Sequence, residues 1–263
     1  YTAAAKSNYA PAQTALGANP PSAAFFANVP TSVTPAFFNN TINALIARYS
    51  LFAGDYAGAL TAANLVDLNY GGAILGYDAI VTNPIFTTAT ATNNVYQILD
   101  STLGLPTALA PDLNDQRIAF YTAINPTIQP RYRIKGFFNA ATQAIPVYLP
   151  DEIRLIKAEC YVKQAAPNLT AAVAEIDAVR TQLPSADPFG VGGGLTAYSG
   201  TVSAAALTDE IYRQRCIELC MSGMRLEDNR RLGRPVSERR RTFFPYPSRE
   251  RDNNPNTPAD PAN

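Results

Sequence analysis

The feature that most constrains the fold is the stretch of residues 145–183, which contains two consecutive amphipathic helical patterns. Pro150 suits the first turn of a helix, because the amide hydrogen that proline lacks would have no partner there. Apolar residues then recur at helical spacing on two neighbouring stripes, and a turn signal around Pro167 precedes a second apolar run. The two runs predict a helical hairpin that packs against other helices.

Two acids of this hairpin point towards the packing. Glu152 and Glu159 stand seven residues apart, so two helical turns place them on one line between the apolar stripes. A half-buried carboxylate in that position needs a cationic partner. A glycosidase pair is the alternative, but seven residues rise about 10.5 Å along a helix, beyond the roughly 9.5 Å of an inverting site. We therefore predict structural ion pairs with another helix.

The arginine-rich residues 207–233 supply candidate partners for these acids. They form a further helical pattern that carries charge into contact surfaces. A guanidinium can satisfy a carboxylate in bidentate geometry, which a half-buried acid requires. We predict that Arg215 or Arg225 faces one of the two acids of the hairpin. The predicted structural ion-pair residues are Glu152, Glu159, Arg215, Glu218 and Arg225.

An earlier hairpin is predicted over residues 37–66. Gly54 and Asp55 mark a tight turn between two helical patterns. The small residues Ala59 and Ala63 would let the two helices approach closely. A helix, a Gly-Asp-Tyr turn and an alanine-rich helix are typical of a tetratricopeptide-like repeat.

The same pattern returns in residues 153–183 and, less regularly, in residues 207–232. The intervals between the copies are far from the regular repeat length of about 34 residues. We therefore predict an all-α fold of tetratricopeptide-like helical hairpins with long irregular loop insertions. We expect one domain over residues 1–263, from which an N-terminal part of the protein is missing.

The main insertion covers residues 70–148 and is rich in glycine, proline, polar residues and aromatic rings. Loops on rigid scaffolds commonly carry binding sites, and exposed rings can stack on sugars or grip peptide side chains. The alternative is that the rings anchor a long loop to the helices. Within this candidate ligand-binding region, the predicted ligand contacts are Tyr77, Phe86, Tyr96, Tyr132 and Phe137.

A second insertion contains the glycine-rich residues 190–194. Glycine-rich loops can cradle phosphate, but neither a Gly-Lys-Ser/Thr sequence nor a strand–loop–helix context follows. We predict a flexible connector.

Composition argues against several functions. Histidine is absent and the three cysteines lie inside helical patterns, which disfavours a metal site, a cofactor and the usual catalytic triads. The net charge is zero, so we expect no nucleic-acid partner. No run of about eighteen apolar residues predicts a membrane span. We do not expect an enzyme.

Four passages together carry a resemblance to a known family. Residues 152–161 read Glu-Ile-Arg-Leu-Ile-Lys-Ala-Glu-Cys-Tyr, which resembles the Glu-x-x-Leu-Ile-x-Ala-Glu-Ala-Tyr helix of the SusD/RagB family. Residues 43–59 resemble its second repeat, residues 211–233 its closing arginine-rich helix, and residues 244–256 its terminal Pro-x-Pro to Asn-Pro segment. The chain is similar to the C-terminal two-thirds of this family.

The chain departs from the family pattern at a few positions. Gln214 and Ser222 stand where the family usually has Glu, and Asn229 stands where it has Leu. These departures predict a sparser network of salt bridges. Trp, the strongest stacking ring, is also absent, which leaves Tyr and Phe to contact a sugar.

The resemblance implies a non-enzymatic role in Bacteroidetes nutrient uptake. Family members are surface-exposed lipoproteins of the outer membrane, so we expect a lipid anchor on an N-terminal cysteine that this chain does not contain. The implied partner is a SusC-like TonB-dependent outer-membrane transporter, and the implied ligand is an oligosaccharide. A peptide ligand, as in the RagB branch, and a helical-repeat scaffold that binds other proteins are the alternatives.

Overall fold

The computed structural model describes most of the chain, namely residues 2–28, 33–90, 98, 100–124, 127, 132–239 and 245–260. The chain forms two compact units, Tyr1–Cys220 and Met221–Asn263, whereas the sequence analysis predicts one domain. The change of unit falls where Met221 and Gly223 adopt positive φ angles of 66° and 84°. Such angles end a helix, because a right-handed helix cannot continue through them.

The all-α prediction is confirmed, since the described elements are mostly helices. The helices of the first unit are α1 (Thr2–Ala18), α2 (Ala23–Ala27), α3 (Pro35–Phe52), α4 (Tyr56–Ala63), α5 (Gln116–Tyr121), α6 (Pro150–Lys163), α7 (Leu169–Thr181) and α8 (Ala204–Glu218). Those of the second unit are α9 (Arg225–Arg231), α10 (Val236–Arg239) and α11 (Ser248–Asn253). Among the described residues, no helix is both long and apolar enough to cross a membrane.

Side-chain caps define where the scaffold helices begin. Thr34 accepts the amide of Phe37 at the start of α3, and Asp55 accepts the amide of Gly58 at the start of α4. Asn168 and Ser203 cap α7 and α8 in the same way. Each cap satisfies an amide that has no partner within its own helix, so these positions set the helix starts.

The scaffold consists of the hairpins α3–α4 and α6–α7 with α8 packed beside them, and α6 contacts all four of the other helices. Small residues such as Ala47 and Ala59 are fully buried where α3 and α4 meet α6. On its other side, α6 packs against α7 and α8 through residues such as Ala158, Ile176 and Ile211. The two apolar stripes predicted for α6 therefore serve two separate cores.

Short strands order the long insertion, which the sequence analysis predicts as irregular loops. Strand β1 (Ile74–Leu75) pairs antiparallel with β4 (Ile145–Pro146), and β2 (Thr122–Ile124) pairs antiparallel with β3 (Tyr132–Ile134). The β1–β4 pair joins the two ends of the insertion, and the amide of Val147 extends it by donating to the carbonyl of Ala73 at 2.8 Å. The insertion therefore leaves and rejoins the helices at one place.

Candidate functional site

The insertion over residues 70–148, called the excursion below, is held in shape by one buried amide side chain. Asn83 is fully buried. Its Nδ2 donates to the carbonyls of Phe137 at 2.9 Å and Gln143 at 2.8 Å. Its Oδ1 accepts the amides of Ile85 and Phe86. The side chain uses both of its N–H donors, and its single oxygen accepts two hydrogen bonds. It therefore ties three separate segments of the excursion together.

Two predicted ligand contacts lie on neighbouring segments. Phe86 lies three residues after Asn83 and begins a π-helical turn, Phe86–Thr90. This turn packs against β3 and against the turn Gly136–Phe138. Strand β3 carries Tyr132, which lies opposite Ile124 in the hairpin. Phe86 and Tyr132 are both half-buried, so each side chain retains exposed surface. The structure thus brings together segments that are far apart in the sequence.

The other predicted contacts have different positions. Tyr77 is half-buried in the turn that follows β1. Tyr96 lies outside the described residues. Phe137 is only 8% exposed and sits in a cluster of rings, with centroids 5.1 Å from Phe120 and 6.3 Å from Phe189. We therefore assign Phe137 to the core of the excursion and not to a ligand contact, as the alternative reading of the aromatic residues proposed.

A tight apolar turn projects from the same region. Asp78 Oδ1 accepts the amides of Ile80 at 2.7 Å and Val81 at 2.6 Å. The hydrogen bonds from Val81 and then Ile80 lower the pKa of the Asp78 carboxyl, because they stabilise its charged form. Asp78 is also the only charged residue in the sequence between positions 68 and 99. This stretch of the sequence is therefore nearly free of charge.

A buried arginine joins the excursion to the scaffold. Arg117 in α5 is fully buried and donates Nε and Nη2 to the two carboxylate oxygens of Asp115 at 2.9 and 2.7 Å. Its Nη1 donates to Glu218 Oε2 at 3.1 Å and its Nη2 to Gln214 Oε1 at 2.6 Å, both in α8. The bidentate pair with Asp115 and the two contacts to α8 make Arg117 the polar link between these two parts of the molecule.

Glu152 pairs with Arg48 and not with Arg215 or Arg225. Arg48 in α3 donates Nε and Nη2 to the two oxygens of Glu152, both at 2.6 Å, and Nη2 also donates to the carbonyl of Val147 at 2.8 Å. Glu152 lies at the start of α6, where that helix packs on α3, so α3 supplies the cation. The sequence contains a signal for it, because Arg48 is the only charged residue between positions 35 and 54.

The remaining predicted ion-pair residues have mixed outcomes. Glu218 is paired, with Arg117 as its partner. Glu159 and Arg215 are both fully buried, as charged residues in helix contacts would be, and their mutual pairing stays a prediction. Arg225 begins α9 in the second unit, and its pairing also stays a prediction.

The glycine-rich residues 190–194 are packed, which contradicts the predicted flexible connector. Val191 is fully buried, and the carbonyl of Gly193 accepts the amide of Gln116 at 3.0 Å. A Cβ atom on Gly192 would lie 2.6 Å from the carbonyl carbon of Leu183. The glycines are needed here because the loop backbone lies directly on the end of α7.

The composition of the sequence disfavours a metal site. Among the described side chains, no group of three or more histidine, cysteine, aspartate or glutamate residues is arranged to hold a metal ion. Cys160 and Cys216 are buried in the helix packing.

The fold and the anchored excursion define a helical-repeat protein with a structured surface insertion. No family model and no curated protein matches the chain. Similar solved structures include a SusD superfamily protein from Bacteroides vulgatus, at 13% identity and a TM-score of 0.48, over 76% of this chain and 53% of that chain.

Two further solved structures have the same fold-family description. A SusD-like carbohydrate binding protein from Bacteroides vulgatus has 16% identity and a TM-score of 0.48, over 71% of this chain and 44% of that one. A SusD superfamily protein from Bacteroides thetaiotaomicron has 18% identity and a TM-score of 0.47, over 76% and 51%. All three are SusD proteins, the family that the sequence motifs resemble. The chain spans about half the length of these structures.

Proposed function

We propose that this chain is a non-enzymatic, ligand-binding member of the SusD/RagB family that captures an oligosaccharide at the cell surface. The single observation that supports the proposal most is the placement of Phe86 and Tyr132, both only half-buried, on adjoining segments of the excursion. Rings of this kind offer an apolar face to a sugar, and the Tyr hydroxyl adds a polar contact.

The stretch of sequence around Phe86 favours an uncharged ligand, and the adjoining strand β3 adds one cation, Arg133, beside Tyr132. Between positions 68 and 99 the only charged side chain is Asp78, whose carboxylate oxygen Oδ1 is occupied by two backbone amides. Threonine and asparagine are frequent in the same stretch and supply neutral donors and acceptors. The hydrogen bonds from Ile85 and Phe86 to Asn83 fix the start of the Phe86 turn in the absence of a ligand, which reduces the conformational entropy lost on binding.

A binding role also agrees with how two of the buried acids are used. Glu152 is occupied by Arg48, and Asp115 is occupied by Arg117. General acid–base catalysis needs a titratable group within hydrogen-bonding reach of a substrate. These two acids instead stabilise the packing between parts of the fold.

The proposal can be tested with an oligosaccharide array, followed by titration calorimetry with the best binder. Phe86→Ala and Tyr132→Ala should each weaken binding about tenfold, because a lost ring contact costs on the order of 1 kcal/mol. Phe25→Ala is the matched control, since Phe25 is a 41% exposed ring on α2, outside the excursion. Equal affinities for all four proteins would contradict the proposed site.

The proposed partner is a SusC-like TonB-dependent transporter in the outer membrane, and the resemblance of the sequence motifs supports it. Purification of the tagged full-length protein from its native outer membrane should recover a large TonB-dependent barrel, identified by mass spectrometry. Recovery of the tagged protein without any such barrel would contradict this partnership.

Two other functions remain candidates. Binding to a peptide mixture, and not to sugars, would favour the peptide-capturing alternative within the family. A surface cleft of about 560 Å³ between the α3–α4 turn and the end of α6, lined by residues that include Tyr56, Leu60 and Lys163, favours a protein-interaction scaffold. Loss of a helical partner in a Leu60→Asp variant, with no effect of Phe86→Ala, would distinguish the scaffold from the proposed site.

A further inference from the structure

Four buried acids surround Arg117 where the excursion meets the scaffold. We call Asp115, Arg117, Asp151, Asp187 and Glu218 the junction cluster. Asp151 lies in the first turn of α6 and Glu218 at the end of α8. Asp115 caps α5 in the excursion, and Asp187 belongs to the loop that follows α7. The cluster therefore touches four separate parts of the first unit.

Asp151 has no hydrogen-bond donor among the described residues. Its side chain is fully buried, and neither carboxylate oxygen accepts a hydrogen bond there. Its one ion-pair contact is with Arg154 Nε at 3.3 Å. The Arg154 side chain is 27% exposed and also contacts Glu175, so it neutralises Asp151 only in part.

Glu218 is satisfied on one oxygen only. Its Oε2 accepts Arg117 Nη1, whereas Oε1 is buried and has no donor in the described part of the chain. Asp187, by contrast, accepts the amides of Phe189 and Val191 and the side-chain amide of Gln182. Because Arg117 is already shared between Asp115 and Glu218, the cluster contains more negative charge than its arginine can balance.

We propose that Asp151 and Glu218 hold a shared proton at neutral pH, and that this proton keeps α6, α8, the 187–194 loop and the excursion packed together. A protonated carboxyl removes one buried negative charge and provides the donor that these oxygens lack. When the proton is lost, Asp151 and Glu218 repel each other and both repel Asp187. The junction then opens locally, while the distant helix contacts persist.

The electrostatic environment of Asp151 agrees with this assignment. The pKa of Asp151 is raised to about 7, first by burial and then by the charge of Asp187, while Arg154 and Arg117 oppose the rise. Glu175, from α7, adds a small increase. Burial also raises the pKa of Glu218, with the charge of Asp151 as the next cause and Arg117 opposing. Asp115, the remaining acid of the cluster, is paired with Arg117.

The direction of the pH effect follows from these shifts. An unfolded Asp has a pKa of about 3.9, so between about pH 4 and pH 7 the folded state binds more protons than the unfolded state. Stability contributed by Asp151 is therefore fully present below about pH 4 and is lost as the pH rises to about 7. The raised pKa of Glu218 extends the effect in the same direction.

The first test compares urea unfolding of the wild type, Asp151→Asn and Asp209→Asn between about pH 4 and pH 8. Asp209 is an exposed acid on α8 and serves as the matched control. As the pH increases from about 4 to about 7, the Asp151 contribution should raise the unfolding constant of the wild type and the control by up to about tenfold per pH unit. Asp151→Asn should lose that contribution. Asp151→Asn also loses the contact with Arg154, but this loss shifts the free energy of unfolding almost uniformly over this pH range. The decisive measurement is therefore the slope of the free energy of unfolding against pH. Equal slopes for all three proteins would overturn the proposal.

The second test follows local opening and needs only the wild type. Carboxyl-carbon NMR should show Asp151 titrating well above the ordinary Asp value. Hydrogen exchange, corrected for the intrinsic dependence on pH, should show that protection in residues 116–121 and 187–194 falls over the same range while α3 and α4 stay protected. An ordinary titration of Asp151, or uniform loss of protection in all helices, would overturn the proposal even if the variant failed to fold.

Discussion

Two buried arginines hold two regions of this protein in different ways. In the scaffold, Arg48 donates two hydrogen bonds to Glu152, so one cation meets one anion in bidentate geometry. In the excursion, Arg117 is divided between Asp115 and Glu218, and Asp151 and Asp187 lie close enough to affect the same group of charges. Arg48 and Glu152 balance each other's charge, whereas Arg117 does not balance the charge of all the acids around it.

The comparison teaches that the two regions depend on different forces. The scaffold rests on small and aliphatic residues that repeat at helical spacing, with Arg48 added at one contact. The excursion lacks that helical repeat, and a cluster of rings around Phe137 together with single polar side chains such as Asn83 and Arg117 holds it in place. A single substitution should therefore cause a larger local change in the excursion than in the scaffold.

The largest expected effect comes from Arg117→Met. This change leaves Asp115 and Glu218 buried without their cation, which should lower the free energy of unfolding by about 3–5 kcal/mol. Urea denaturation measures the change. Arg230→Met is the control, because the Arg230–Glu227 pair is 33% and 52% exposed and should cost at most about 1 kcal/mol. Similar losses in the two variants would mean that Arg117 is not the link described here.

The scaffold pair should respond differently when both partners are changed. Arg48→Met alone leaves Glu152 buried and unpaired, at a cost of about 3 kcal/mol. The double variant Arg48→Met/Glu152→Leu removes both charges and should recover most of that loss, since a buried pair is often replaceable by apolar side chains. Thermal and urea unfolding of both variants test this. A double variant as unstable as the single one would show that the pair contributes more than charge balance.

The packed glycine loop gives a smaller effect. Gly192→Ala places a Cβ atom 2.6 Å from the carbonyl carbon of Leu183, and the strain should cost about 1–3 kcal/mol. At Gly76 no atom lies within 4 Å of such a Cβ, so Gly76→Ala should leave stability unchanged or raise it by up to about 1 kcal/mol. Differential scanning calorimetry compares the two. If Gly192→Ala were as stable as Gly76→Ala, the loop would be the flexible connector that the sequence suggested.

The smallest effect is expected at the apolar turn of the excursion. Ile80 is 91% exposed, so Ile80→Ser should change the free energy of unfolding by less than about 0.5 kcal/mol. Chemical denaturation of this variant should be compared with that of Ile153→Ser, at a fully buried scaffold position. The two variants should give the smallest and the largest loss in the free energy of unfolding for an isoleucine-to-serine change. A large loss at Ile80 would indicate that this side chain packs against something in solution.

Some of these features could be predicted from local patterns and others could not. The two stripes on α6 were predictable, because each apolar side chain must be buried wherever the helix goes. The partner of Glu152 was not predicted, since helical spacing identifies a face that needs a cation and does not say which helix covers it. The burial of Phe137 was not predicted for a related reason, because a ring in a loop has the same sequence appearance whether it packs inwards or faces solvent.

The sequence by itself determined the helices of the two hairpins, the turns at Gly54 and Pro167 and the limits of the excursion, because these depend on residues close together in the chain. The tertiary structure alone decided that Arg48 meets Glu152, that Arg117 joins α8 and that Phe86 lies beside β3. Each of these contacts joins positions far apart in sequence. Such contacts depend on the geometry of whole packed elements, and that geometry is not contained in the local pattern of any one of them.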